Sequence, residues 1–189
     1  ASKKAEELFR GKYPAVYNHL LKFKPQLSNR NKAETGIRYE WFALQRCAAE
    51  YWQEFNKPKL IFPEICKEQR FAFDVQNTFV NNKAFIIPLK DFFLLGVLNS
   101  TPAWEYSKTL CNALGDENNG GRLMLQWVNF KRLPIPLTSD SEQKIIANLV
   151  QRCLDPKDHN IAQWEAEIDE RVAHLYGLTA EDMQIIRGD

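Results

Sequence analysis

The fold class of this chain is decided by Lys59-Leu60-Ile61-Phe62, a largely apolar run that directly follows Pro58. Short apolar runs bounded by turn-forming residues are typical of β-strands. Similar runs follow, separated by polar or Asn-rich turns: Glu64-Ile65, Phe71-Ala72-Phe73-Asp74, Thr78-Phe79-Val80 and Ala84-Phe85-Ile86-Ile87. This spacing predicts a small mixed or antiparallel sheet.

The residues before this sheet predict a helix, a polar loop and a mixed segment. Pro14 suits a first helical turn, and apolar residues recur at helical spacing until Pro25, where we expect the helix to end. Residues 28–38 contain three cations and several turn formers, which indicates an exposed loop. The aromatic pattern over residues 39–55 is interpreted as a short strand followed by a helix.

Helices are predicted again after the sheet. Asp91 is placed to cap a short buried helix through Leu98, and Pro102 can open another helix that reaches Leu114. The Gly- and Asn-rich residues 115–121 predict a loop.

The remainder of the chain has a strong helical pattern. Ser139 with Glu142 three residues later predicts a capping box, and Thr179 is placed to cap a last short helix. We therefore predict an α+β fold with flanking helices. The predicted division is a core over residues 1–137 and a helical tail over residues 138–189, packed on that core.

The net charge of +1 conceals an uneven distribution. Residues 1–95 hold 16 Lys/Arg and 10 Asp/Glu, whereas residues 96–189 hold 9 and 14, and the segment 138–189 alone holds 5 and 11. This pattern predicts that a polyanion is accepted by the front half and repelled by the tail. The alternative is an ordinary solvated mixture of charges.

Composition also bounds the location of the protein. The longest apolar run, 92–98, is far shorter than the roughly 18 residues that a membrane-spanning helix needs, so no membrane partner is expected. Cysteines lie far apart at positions 47, 66, 111 and 153 and form no CxxC pair. Such spacing suits reduced thiols rather than zinc, and it favours a cytoplasmic protein.

Several catalytic classes are excluded by their missing motifs. The chain has no Pro-Pro, which the base-binding turn of an adenine methyltransferase requires, and its one glycine pair, Gly120-Gly121, follows no apolar strand. A nuclease pattern can be assembled from Asp116 and Glu142-Gln143-Lys144, but a helix start explains the latter residues equally well. We predict no catalytic residue, no metal and no cofactor in this chain.

What remains is a set of cations and amides in predicted loops and strand ends. Arginine can pair with guanine, and asparagine or glutamine with adenine, because their donors and acceptors match the base edges. For any single residue a solvated loop is the simpler explanation. The candidate DNA-contacting residues are Arg30, Lys32, Arg38, Arg70, Gln76, Lys83, Asn119, Arg122, Gln126 and Lys131.

The order of several short segments carries a family resemblance. The segments are Tyr13-Pro14-Ala15-Val16-Tyr17, Lys24-Pro25-Gln26-Leu27, Trp41-Phe42-Ala43-Leu44, Lys57-Pro58-Lys59-Leu60-Ile61, Arg70-Phe71-Ala72-Phe73-Asp74, Leu94 to Ser100 and Leu133-Pro134-Ile135-Pro136. In this order, from about Tyr13 to Gly177, the chain resembles the TaqI-like C-terminal specificity domain. That domain follows the methyltransferase domain in adenine-specific enzymes of restriction-modification systems.

The resemblance implies a module that selects the target sequence in double-stranded DNA and has no activity of its own. Its expected partners are duplex DNA and a methyltransferase domain of the same parent chain. The parent would use S-adenosylmethionine, with or without an endonuclease activity. The main alternative is a protein-interaction module that docks a catalytic subunit, and a third is a free-standing hydrolase or nuclease.

Overall fold

The computed structural model describes residues 2–30, 40–43, 51–115 and 121–188, which fall into two units. The first unit, Ala1–Tyr51, contains the helices α1 (Ser2–Lys12), α2 (Pro14–Leu21) and α3 (Lys24–Asn29). The second unit, Trp52–Asp189, contains small antiparallel sheets together with further helices. The predicted α+β class is confirmed.

Aromatic rings pack together in the first unit. The ring centroid of Phe9 lies 5.8 Å from that of Tyr17 and 4.9 Å from that of Phe42. The Trp41 ring lies 6.0 Å from Tyr17, and the Lys24 ammonium lies 4.9 Å from its centroid. These contacts tie α1, α2 and α3 to the turn at residues 40–43.

Pro25 has a different role from the one predicted. Helix α2 ends at Leu21, and Pro25 lies in the first turn of α3. Proline is well tolerated there because the first-turn amides have no partner within the helix. The loop predicted from residue 28 begins later, because Ser28 and Asn29 belong to α3; residues 31–38 lie outside the described residues. Of the strand and helix predicted over 39–55, residues 40–43 form a turn and Trp52–Asn56 is a 3-10 helix, while residues 39 and 44–50 lie outside the described residues.

The second unit contains two three-stranded sheets. Their strands are β1 (Lys59–Pro63), β2 (Ile65–Cys66), β3 (Ala72–Asp74), β4 (Ala84–Ile87), β5 (Asn112–Leu114) and β6 (Arg122–Met124). One sheet has the order β3-β1-β4 and the other β2-β6-β5, and every pairing within residues 52–115 and 121–188 is antiparallel.

Glu64 joins the two sheets. Its backbone N–H donates to the carbonyl of Lys83 at 2.8 Å, next to the β1–β4 ladder. Its carbonyl accepts from the N–H of Leu125 at 2.8 Å, next to the β2–β6 ladder. The chain therefore passes from one sheet to the other at Glu64 without losing its backbone hydrogen bonds.

An aromatic cluster forms the core beneath β1. Successive residues of a strand point to opposite faces, so Leu60 and Phe62 share one face of β1. Both are buried, and the Phe62 ring lies 4.9 Å from Phe71, 5.4 Å from Phe85 and 5.3 Å from Phe130. This cluster connects β1 and β4 to the segments that follow β2 and β6 in the chain.

The helices of the second unit are α4 (Phe92–Asn99), α5 (Thr101–Leu110), α6 (Trp127–Phe130), α7 (Asp140–Leu154), α8 (Ile161–Leu175) and α9 (Ala180–Arg187). The predicted cap of α4 is confirmed, because the Asp91 carboxylate accepts from the N–H of Leu94 at 2.9 Å. The prediction for α5 was too long. It ends at Leu110, and Asn112–Leu114 instead pairs with β6.

Helix α4 packs tightly on the C-terminal helices. A Cβ atom at Gly96 would lie 2.9 Å from methyl groups of both Ile146 and Val150 on α7, so only glycine fits without a shift. Ile168 and Val172 of α8 belong to the same buried cluster. Whether residues 138–189 are a separable extension of residues 1–137 stays a prediction.

The capping box predicted at the start of α7 is only half correct. The Ser139 hydroxyl accepts from the N–H of Glu142 at 3.3 Å, as predicted. The Glu142 carboxylate, however, accepts from the Arg171 guanidinium of α8 at 2.9 Å. Thr179 and Asp182 form the reciprocal box at the start of α9.

Candidate nucleic-acid interface

The connection between β3 and β4 carries several exposed polar side chains. Both strands flank β1, with Asp74 opposite Lys59 and Ala84 opposite Pro63, so the connection must return along the whole of β1. This connection, residues 75–83, is called the crossover segment. It presents exposed side chains from Gln76, Asn77, Asn81, Asn82 and Lys83.

The carboxylate of Asp74 fixes the start of the crossover segment. It accepts hydrogen bonds from the N–H of Gln76 at 3.3 Å, the N–H of Thr78 at 3.0 Å and the Thr78 hydroxyl at 2.7 Å. Asn77 lies between them with a φ of 57°, in the left-handed region that asparagine tolerates better than most residues. The strand predicted at Thr78–Val80 is wrong, because this turn occupies the backbone donor of Thr78.

The buried Lys59 hydrogen-bonds to the Asp74 carboxylate. Lys59 is 0% exposed, and its Nζ lies 2.5 Å from Asp74 Oδ2 and 2.8 Å from the Phe55 carbonyl oxygen. The hydrogen bond from Lys59, supported by those from Thr78 and Gln76, holds the pKa of Asp74 well below its usual range. Asp74 is therefore a carboxylate at neutral pH, with ordered donors around it.

The sequence offered no sign that Lys59 is buried. Strand alternation places it opposite Leu60 and Phe62, on the face where a lysine would ordinarily be solvated. Its ammonium nevertheless bonds Phe55, and the ring of Phe55 stacks on that of Phe79 at 4.7 Å. Phe79 of the crossover segment therefore contacts Phe55, the residue whose carbonyl accepts from Lys59. No local sequence pattern reveals this arrangement.

The end of the crossover segment lies beside the second sheet. Lys83 donates its N–H to Asn81 Oδ1 at 2.9 Å, and its exposed ammonium lies 3.3 Å from Glu64 Oε2. Because Glu64 also bonds Leu125, the segments that carry Lys83 and Gln126 meet on either side of Glu64. Two candidate residues far apart in sequence are thus brought together.

Helix α6 continues this surface from Gln126. Gln126 precedes the helix, and its side chain makes no capping bond. Trp127 and Val128 are 56% and 61% exposed, while Phe130 is buried in the aromatic cluster. Lys131 follows at the exposed end of this turn. The anchored phenylalanine thus fixes a short helix that presents an amide, an indole and a cation.

Arg122 lies at the other end of the same segment. It is exposed on β6, opposite Leu114, and alternates with the buried Leu123. Its side chain therefore points away from the core. Together, Arg122, Gln126 and Lys131 lie along one continuous stretch of backbone.

Other predicted residues lie apart from this surface. Arg70 precedes β3, whereas Gln76 of the crossover segment follows it, and Arg70 forms an exposed ion pair with Glu68. Arg70 also borders a cleft of about 540 Å³ whose lining includes the acidic Glu165 and Asp169, a poor setting for a polyanion.

Arg30 belongs to the first unit, where its guanidinium donates to the carbonyl oxygens of Ala43 and, at 3.4 Å, Trp41. Lys32, Arg38 and Asn119 lie outside the described residues. The DNA-contacting roles of the ten candidates stay predictions.

The titratable side chains were compared with what a metal site or a reactive thiol requires: acidic, His or Cys groups that cluster, and a thiol whose pKa is low. Across residues 2–30, 40–43, 51–115 and 121–188, no three or more His, Cys, Asp or Glu side chains are grouped to hold a metal ion. Burial raises the pKa of the Cys66 thiol to about 11 and also raises that of Cys111 and Cys153. Such thiols are poor nucleophiles because the reactive thiolate is scarce at neutral pH.

Among the helices that the structure describes, none is both long and apolar enough to cross a bilayer.

Residues 7–135 match the TaqI-like C-terminal specificity domain, and the chain belongs to this family. It is therefore a specificity domain of the kind found in restriction-modification methyltransferases, which confirms the resemblance inferred from sequence.

A curated relative extends the comparison. Over 154 residues the chain is 30% identical to the type II methyltransferase M.MjaIV of Methanocaldococcus jannaschii. The alignment covers 78% of this chain and 50% of that protein, so the chain spans about half the length of the relative.

Proposed function

We propose that this chain recognises a specific sequence in double-stranded DNA on behalf of a bacterial restriction-modification enzyme. A methyltransferase domain of the same parent would transfer a methyl group from S-adenosylmethionine to adenine. The chain alone is expected neither to methylate nor to cleave DNA, and the parent is expected to work in the cytoplasm.

One observation carries this proposal: amide and cationic side chains are presented on two anchored segments, the crossover segment, which reaches Glu64 at Lys83, and residues 122–131, which reach it at Leu125. Gln76, Gln126 and Arg122 have the paired donors or acceptors that read base edges, whereas Lys83 and Lys131 suit phosphates. The crossover segment and α6 are held by Asp74 and by Phe130 respectively. Recognition needs variable polar side chains on such a rigid support.

The charge distribution suggests how this domain divides the work with its parent. Front and rear halves carry opposite net charges, and the whole chain carries only +1. Phosphate contacts dominate the affinity of most DNA-binding proteins. We therefore expect the isolated chain to bind duplex DNA weakly and selectively, with the methyltransferase domain adding most phosphate contacts.

Substitutions at Arg122 and Lys131 should separate base reading from phosphate binding. Arg122→Ala is expected to relax preference at one base pair by about 1–3 kcal/mol, because a bidentate arginine contact is lost. Lys131→Ala is expected to weaken all duplexes alike and to reduce the salt slope by about one unit. Selection from a randomised duplex pool, followed by titration at several salt concentrations, measures both effects.

Lys157→Ala supplies the matched control for Lys131→Ala. Lys157 is also exposed but lies in the acidic segment 138–189, so its loss should leave the salt slope unchanged. Two results together would show that the DNA-reading surface lies elsewhere. They are equal salt slopes for the unaltered chain, Lys131→Ala and Lys157→Ala, and unchanged sequence selectivity of Arg122→Ala.

A docking module is the second candidate, and the exposed Trp127 and Val128 favour it. Aromatic residues are enriched at protein interfaces. In that case the chain would bind a separately purified methyltransferase domain and select no duplex from the pool. Trp127→Ala would then weaken the protein complex.

A further inference from the structure

The ion pair between Lys59 and Asp74 carries a desolvation cost that β1 and β3 do not need in order to pair. Both side chains are largely removed from water, with side-chain exposures of 0% and 11%. Burying charges carries a desolvation cost, and apolar residues of similar size often serve stability equally well or better. We therefore infer that the pair has a role besides holding β1 to β3.

The contacts of Asp74 identify what the pair holds. Lys59 occupies Oδ2, which also accepts from the N–H of Thr78, while Oδ1 accepts from the Thr78 hydroxyl and the N–H of Gln76. All the bonds to the crossover segment come from Gln76 and Thr78, on either side of the left-handed Asn77. A rotation of this carboxylate would release the whole turn.

We propose that Lys59 and Asp74 are a positioning pair, which fixes the crossover segment so that the side-chain amides of Gln76 and Asn77 can read base edges in duplex DNA. This inference rests on the proposed function and adds to it the device that sets discrimination. Neither Lys59 nor Asp74 touches DNA in this scheme.

The physical reason is preorganisation. A loop that is mobile before binding must be ordered when it binds, and this loss of freedom reduces the affinity for the matching sequence. Asn77 also needs a φ that an unrestrained loop would leave for more favourable regions. Because Lys59 fixes the Asp74 carboxylate, the turn at residues 76–78 is already formed before DNA binds.

The decisive experiment neutralises both members of the pair at once in the 189-residue chain. Lys59→Met with Asp74→Ala removes both charges and every acceptor for the turn. We expect a folded protein whose Gln76 and Thr78 amides exchange hydrogen faster. Preference for the selected sequence over random duplex should fall at least about tenfold, the scale of one misread base pair. The salt slope should not change, because Lys83 and Lys131 remain.

A conservative variant distinguishes positioning from a general loss of stability. Lys59→Met with Asp74→Asn also removes both charges but keeps an amide oxygen that can accept from Thr78. We expect it to recover part of the discrimination. Thr78→Val leaves the buried pair intact and removes one bond, so it should lower discrimination even if the double variants fail to fold. Lys108→Met with Glu105→Ala applies matching changes to an exposed pair and should have no effect.

The possible outcomes separate this inference from the proposed function. If the unaltered chain selects no duplex, the proposed function is wrong and the positioning role falls with it. If that chain selects a sequence and Lys59→Met with Asp74→Ala selects it equally well, despite faster exchange at Thr78, only the positioning role is overturned. Unchanged discrimination in a folded Thr78→Val variant would also count against it.

Discussion

Asp74→Ala is expected to lower the free energy of unfolding by about 3–5 kcal/mol. The cost arises because the fully buried Lys59 ammonium would lose its only acidic partner among the described contacts and keep the Phe55 carbonyl. A buried charge without a counterion is far less stable than the intact pair or a neutral replacement. Urea denaturation at neutral pH measures the difference.

Glu105→Ala provides the control, since it breaks the exposed pair with Lys108 and should cost no more than about 1 kcal/mol. Acid adds a second measurement. The depressed pKa of Asp74 means that its stabilisation is complete above about pH 4 and is lost as the pH falls towards the folded-state pKa. Asp74→Ala should lack this part of the acid sensitivity. Similar losses in the two variants would mean that the pair is solvated.

Strand β1 and the start of α4 could be predicted because their causes are local. The apolar run after Pro58 favours a strand through its own composition. The Asp91 carboxylate caps α4 by accepting from the N–H of Leu94, three residues away. The Ser139 cap is equally local. Such features depend on neighbouring residues, which a sequence displays directly.

The incorrect predictions depend on partners from elsewhere in the chain. Thr78–Val80 has the composition of a strand, but Asp74 takes the Thr78 donor. Leu110–Leu114 could extend a helix, but β6 offers Asn112–Leu114 a strand partner. Glu142 could complete its own capping box, but Arg171 provides a charged donor from another helix. In each case a tertiary contact replaces the locally favoured one.

The candidate interface was predictable in its residue types and not in its grouping. Cations and amides in loops could be selected by their chemistry alone. The segments that carry Lys83 and Gln126 lie on either side of Glu64 only because Glu64 hydrogen-bonds to both of them. Conversely, Arg70 and Gln76 are close in sequence but are separated by β3. Distance along the sequence therefore does not indicate which candidate residues lie close together in the structure.

Phe62→Ala should cost about 3–5 kcal/mol, because it leaves a cavity at the centre of the aromatic cluster. The ring is 1% exposed and contacts Phe71, Phe85 and Phe130. Loss of the contact with Phe130 should also loosen α6. We therefore expect weaker DNA binding under conditions in which the variant is still folded.

Phe79→Ala makes the same chemical change at a ring that is 63% exposed and stacks on Phe55. It should cost only about 0.5–1.5 kcal/mol, the value of an aromatic pair. Urea denaturation compares the two variants, and hydrogen exchange at Lys131, whose N–H donates to Trp127 within α6, reports on that helix. If Phe62→Ala unfolds no more readily than Phe79→Ala, or leaves exchange at Lys131 unchanged, the aromatic cluster does not anchor the interface.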